Sequence, residues 1–237
     1  MLSSRTKFLI QTLRILGFDQ AIKALKLVIN EMNTENGFTR HDGSHYYYHL
    51  VDVTQTLLNF GVRDENIITA ALLHDYIEDV EGVTSKMIET LFNKEVATMV
   101  NLLTKDKNID YYNNKKDMQK YLDRIFENEG ACLVKTADRI HNFSSMREYT
   151  SHEHKMKQLS NTKEFFIPFF KRCRNEYAEY SHFFFHAKTI IEPIMFEIEE
   201  NDELRHLIED KNDEIKLLQY RAEQAEESLS KSLSDEN

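Results

Sequence analysis

The chain has 237 residues, 41% hydrophobic and 30% charged, with six Gly, two Pro and a formal net charge of −10. That length can bury one substantial core and carry an appendage, and the scarcity of Gly and Pro excludes a turn-rich β fold. Two cysteines far apart, Cys132 and Cys173, exclude a disulfide-framed scaffold, and no run approaches the roughly eighteen apolar residues of a membrane span.

Residues 3–32 place Phe8, Ile15, Ile22, Leu25 and Ile29 near helical spacing. Arg5, Lys7 and Arg14 interrupt the apolar character, and no small-residue cleavage site follows, so this is not a signal peptide. A reducing cytoplasm is the expected location. The stretch 33–44, "NTENGFTRHDGS", is polar with two Gly and reads as a loop. Helices are expected from about Tyr47 to Phe60 and from about Asn66 to Glu78. Thr84 and Asn93 suit the N-caps of two more, over 85–92 and 94–104. After a polar interruption come a helix over 115–127 and the helical spacing of "ACLVKTADRIHNFSSM". Aromatic-rich helices fill 155–196, with Pro168 and Pro193 marking boundaries or kinks. His182 and His186 lie among these aromatics as packing or surface residues, since Phe183 removes the HExxH zinc-protease pattern.

The acidity belongs to the end of the chain. From Glu197 onward 14 acidic residues face 5 basic ones, against 26 and 25 in residues 1–196. A nearly neutral body gives no basis for nucleic-acid binding through charge. The chain therefore divides into a body, 1–196, and an acidic helical tail, 197–237. A heptad runs through Ile194, Asn201, Ile208, Ile215, Ala222 and Leu229, paired with Glu197, Leu204, Lys211, Leu218, Ala225 and Ser232. It is a coiled-coil-like seam with polar breaks at Asn201 and Lys211, a candidate for homo-oligomerisation. A charged, solvated helix is the ordinary alternative.

The chemistry gathers at "ALLHDYIEDV", residues 70–79. On a continuous helix His74 and Glu78 share one face, as do Asp75 and Asp79. The strip follows the apolar "IITAALL" directly, and three buried carboxylates left unpaired would be very costly. A divalent cation neutralises carboxylates and accepts a neutral imidazole, so a metal centre is the favoured reading. A helix end with its acids in water is the competing one. Further donors must come from elsewhere. Of His41, His45 and His49, only His49 stands inside the expected helix, and Asp138 in "LVKTADRIHN" again follows an apolar turn.

These motifs resemble the HD phosphohydrolase superfamily. "AALLHDYIEDV" and "VKTADRIHN" are similar to the hydrolase domain of RelA/SpoT enzymes and of the small alarmone hydrolases, over about residues 25–170. The resemblance implies an all-α helical bundle binding one Mn²⁺ through His49, His74, Asp75 and Asp138. It implies hydrolysis of the 3′-pyrophosphate of ppGpp or pppGpp. Glu78 and Asp79 would orient the attacking water and move protons. Arg40 would pack its guanidinium on the guanine, Asn142 would hydrogen-bond the nucleotide, and Arg139 would support the site through an ion pair. His41 stands where the family usually has a lysine, so a phosphate contact there is either lost or pH-dependent. Leu50 replaces a common proline, and Thr136 replaces a common leucine as a packing change. These departures leave room for another phosphorylated nucleotide, such as NADPH, or for a non-catalytic HD scaffold docking a partner through the tail.

Overall fold

The structure, a computed structural model, describes residues 2–146 and 150–235, with side chains through 226. It divides into a compact unit ending at Ile194 and a second unit from Met195 on.

Among the described residues the first unit consists of helices and connecting loops, with one isolated bridge between Thr39 and His45. The N-terminal pattern forms two helices, α1 (Ser4–Leu16) and α2 (Asp19–Glu31). Gly17 separates them at φ 71°, a left-handed value that an L side chain resists. The break changes which face is buried. Leu9 and Leu13 are fully buried, whereas Phe8 and Ile15, expected on the apolar face, are 57% and 86% exposed. Next come α3 (Tyr47–Asn59), α4 (Glu65–Leu73) and the single turn α5 (Tyr76–Asp79). In α6 (Ser85–Leu91) and α7 (Lys94–Leu103) the side chains of Thr84 and Asn93 accept from the N–H groups of Met87 and Val96, as N-caps do. Helices α8 (Lys115–Phe126) and α9 (Glu129–Ser144) follow. The aromatic region contains α10 (His152–Asn161), a π-turn, α11 (Ile167–Glu176) and the start of α12 (Ser181–Asp235). Pro168 sits in the first turn of α11, where its missing N–H costs nothing. Pro193, by contrast, lies inside α12 rather than at a helix start.

Helix α4 is the hub, packing on α2, α3, α7 and α9. Every residue from Ile67 to Leu73 is buried, so a run apolar on all sides is what this position requires. Its contact with α7 and α9 is close. A Cβ on Gly130 of α9 would fall 2.5 Å from the Met99 sulfur and 2.9 Å from Ile67. Under α11 and α12, Phe166, Phe169, Phe170, Phe183 and Phe184 form an aromatic layer with Cys132 and Cys173 buried as free thiols. Phe60 stacks near His182 and His186, with centroids 6.0 and 4.8 Å away, so both imidazoles are packing residues.

The second unit is helical from Met195 to Asp235, and its side chains are exposed almost throughout 200–226. Leu204, Ile208, Ile215 and Leu218 of the seam are each 50–60% exposed. Leu229 and Ser232 lie beyond the described side chains. No described helix is long and apolar enough to cross a membrane.

Candidate metal centre

Three elements bring the donors together. Helix α3 supplies His49 from its first turn, the end of α4 supplies His74 and Asp75, and the middle of α9 supplies Asp138. The expected continuous helix over 66–78 does not form. Helix α4 stops at Leu73, His74 and Asp75 make a turn, and α5 restarts at Tyr76. The His74 ring Nδ1 donates to the Ala71 carbonyl at 2.8 Å, which fixes the ring with Nε2 pointing inward.

The inward atoms converge. His49 Nε2 lies 3.3 Å from His74 Nε2 and 3.3 Å from Asp138 Oδ1. Asp75 Oδ2 is 3.1 Å from His74 Nε2 and 3.6 Å from His49 Nε2. Among the described residues, His49, His74 and Asp138 form the one group of three whose donor atoms all lie within 4.8 Å of one another. All three are buried, and Asp75 is half-buried.

The donor set fits a divalent cation. Two imidazole nitrogens and two carboxylates facing one point need positive charge there, and mixed N/O donors suit a transition metal. The protein's own electrostatics express the same demand. Burial works against a charged His74 ring, yet the Asp75 charge and hydrogen bonds to Asp138 and Asp75 outweigh it, pushing its pKa up to about 10. Burial likewise opposes the charged carboxylates, but His74 for Asp75 and Lys135 for Asp138 hold both well below the usual carboxylate range. Each donor also has an outer partner, the usual way of orienting metal ligands. The Tyr46 hydroxyl donates to Asp75 Oδ2 at 2.8 Å. Asn142 donates to Asp138 Oδ1 at 2.7 Å, and the buried Lys135 ammonium to Oδ2 at 2.8 Å. His49 Nδ1 meets His141 Nδ1 at 2.8 Å.

Glu78 and Asp79 share the turn α5 but have different surroundings. Glu78 Oε2 accepts from the Lys105 backbone N–H at 3.0 Å. Asp79 stands at the rim. Desolvation of its inner side, with the charges of Asp75 and Glu78, pushes its pKa up to about 6. Beside the donors opens a cavity of about 410 Å³ whose walls include Arg40, His41, Asn142, His141, Asp52 and Arg5. Arg40 donates to Ser145 Oγ at 3.3 Å and lies 5.7 Å from the Tyr46 ring centre. His41 is exposed, its ring edge-on to His154 at 5.6 Å.

Among the described residues Arg139 makes no ion pair. It is buried, bonded to Gln158 and Thr162, with its guanidinium 3.7 Å over the Phe166 ring. Its position one residue past Asp138 turns it to the other side of α9, toward the aromatic layer. Sequence reasoning also missed Tyr46, Lys135, His141, Asp52 and Arg5. A signal existed for Lys135, which precedes Asp138 by three residues and so shares its helix face. For Arg5 and Asp52, 47 residues apart, there was none.

An HD domain family model matches residues 24–173. A Brucella ovis protein named GTP pyrophosphokinase rsh is 34% identical over 125 residues, 51% of this chain and 16% of that protein. A Synechocystis protein named as a probable guanosine-3′,5′-bis(diphosphate) 3′-pyrophosphohydrolase is 31% identical over 137 residues, 56% of this chain and 18% of that one. The Escherichia coli bifunctional (p)ppGpp synthase/hydrolase SpoT is 31% identical over 142 residues, 58% of this chain and 20% of that one. The matched segment thus spans a fifth or less of these curated relatives. A solved structure of a metazoan SpoT ortholog, described as hydrolysing ppGpp, superposes with a TM-score of 0.53 at 19% identity. That superposition covers 78% of this chain and 96% of the other and establishes the common fold.

Proposed function

The chain belongs to the HD domain family, and from that premise we propose that it is a metal-dependent hydrolase of ppGpp and pppGpp. Water would cleave the 3′-pyrophosphate, giving GDP or GTP and pyrophosphate. The observation that carries the proposal is the convergence of His49, His74, Asp75 and Asp138, with His49 also in the wall of a cavity that presents Arg40, His41 and Asn142. The four donors would hold one divalent ion, Mn²⁺ in this proposal. When bound, the ion supplies Lewis acidity at the scissile phosphate and a nucleophile at neutral pH.

The protein's own groups would do the rest. Asp79, with its pKa near 6, is suited to take a proton from water and return it to the leaving group near neutral pH. Glu78, tethered to the Lys105 N–H, would orient that water. Arg40 would lay its planar guanidinium on the base, and His41 would meet a phosphate when protonated. Asn142 would bridge substrate and metal ligand, since its amide already holds Asp138. Two buried free thiols suit a reducing compartment such as the cytoplasm. Self-association through the exposed seam of the second unit belongs to the same proposal, with the domain boundary near residue 196.

The test is product analysis after incubating the protein with ppGpp, with and without Mn²⁺, and with NADPH in parallel. GDP and pyrophosphate appearing only with metal would support the proposal. Release of phosphate from NADPH with ppGpp untouched would overturn the substrate, and no turnover of either would favour the scaffold reading.

A further inference from the structure

We infer that His141, Asp52 and Arg5 form a relay that positions His49, making α1, which lies outside the family match, part of the working site. The inference rests on the metal-site reading above. His49 turns Nε2 toward the other donors, so as a neutral ligand it must carry its proton on Nδ1. That nitrogen lies 2.8 Å from His141 Nδ1. His141 must therefore accept there, which places its own proton on Nε2. Its Nε2 points at Asp52 Oδ2, 3.4 Å away. The same carboxylate oxygen receives Arg5 Nη1 at 2.5 Å. One tautomer assignment satisfies the whole chain. Reversing both rings would put an N–H on His49 Nε2, facing the other donors, and leave Asp52 without the His141 N–H.

The other donors are held from within the matched segment: His74 by the Ala71 carbonyl, Asp75 by Tyr46, Asp138 by Lys135 and Asn142. Only the His49 chain leaves it. Helix α1 is built to deliver Arg5. Ser3 Oγ accepts from the Thr6 N–H at 3.3 Å, fixing the first turn, and α1 packs on α3. The Arg5 guanidinium also lies 4.9 Å over Tyr48, the residue before His49. A carboxylate behind two imidazoles raises the donor strength of the ligand nitrogen and holds its ring plane. Arg5 keeps that carboxylate in place, so it acts through His49 as a positioning residue.

The experiment measures Mn²⁺ affinity of the full chain by electron paramagnetic resonance, without substrate. Asp52→Ala should weaken binding about 10–100-fold. Asp52→Asn keeps an oxygen for the His141 N–H and should lose less. Arg5→Ala should lose several-fold, with partial rescue by Arg5→Lys. Histidine ¹⁵N NMR should show the Nδ1–H form for His49 and the Nε2–H form for His141. If Asp52→Ala fails to fold, the exposed Arg5 variants and the tautomer assignment still decide. Wild-type affinity in folded Asp52→Ala and Arg5→Ala, or the reversed tautomers, overturns the relay alone. A wild-type chain that binds no Mn²⁺ overturns the metal reading and the relay with it.

Discussion

Lys135 and Asp138, and Lys211 and Glu214, are chemically matched pairs under opposite conditions. Each is a lysine and an acid three residues apart on a helix, at 2.8 and 2.7 Å. The first pair is 10% and 7% exposed, the second 65% and 58%. Distance and spacing agree, so burial alone separates them. In the interior, each charge has lost its water, and removing one partner strands the other at a cost of about 3–5 kcal/mol. On the second unit water replaces the partner, and such pairs contribute about 0.3–0.5 kcal/mol. The interior cluster is thus a set of mutually dependent groups, whereas the tail's pairs are independent.

The strongest test of that contrast is Asp138→Ala. It removes a proposed ligand and leaves the Lys135 ammonium buried without its carboxylate. Metal analysis should find no bound ion, turnover should vanish, and chemical denaturation should show a loss of about 3–5 kcal/mol. Full metal content and activity would sink the assigned site.

Next in size is Glu78→Gln combined with Asp79→Asn. These groups stand beyond the ring of donors, so the double variant should keep its metal while the rate falls about 10²–10⁴-fold. Unchanged turnover at saturating ppGpp would remove both from the mechanism. Arg40→Ala reaches further from the chemistry still. It should raise KM more than it lowers kcat, and the reverse pattern would refute a grip on the base.

A smaller effect concerns pH. Asp79 has its folded pKa raised to about 6, so between about pH 4 and 6 the folded state holds more proton than the unfolded one. The contribution of Asp79 to the stability of the metal-free protein should therefore fall as pH rises through that window, and the cost persists above it. Asp79→Asn should relieve about 1 kcal/mol or less above pH 6, given the residue's exposure. Urea midpoints at pH 4 and pH 8 check the sign: a benefit at pH 4 only would contradict it.

The smallest effect lies in the tail. Lys211→Ala and Glu214→Ala should couple by no more than about 0.5 kcal/mol in a double-mutant cycle. Deleting 200–237 should leave turnover near normal and, through loss of the seam, lower the oligomeric state seen by light scattering. A tail deletion that abolishes metal binding would erase the contrast between the two regions.

Much of this architecture is written in short-range pattern. The all-α class, the caps Thr84 and Asn93, and the burial of "IITAALL" follow from local propensity and periodicity, which act over a few residues. The motifs HD, ED and ADRxHN carried the family and named the proposed ligands, because those donors must occupy particular places on their own elements. Tertiary structure decided what local pattern could not. Gly17 turned Phe8 and Ile15 outward by splitting one helical pattern in two. The stop at Leu73 set His74 and Asp75 in a turn ahead of α5, which carries Glu78 and Asp79. Arg139 faced the aromatic layer instead of a carboxylate because helix rotation, not adjacency, sets direction. The partners of His49 come from residues 5, 52 and 141. Such contacts depend on how α1, α3 and α9 pack, and packing joins residues whose separation along the chain carries no signal of their meeting.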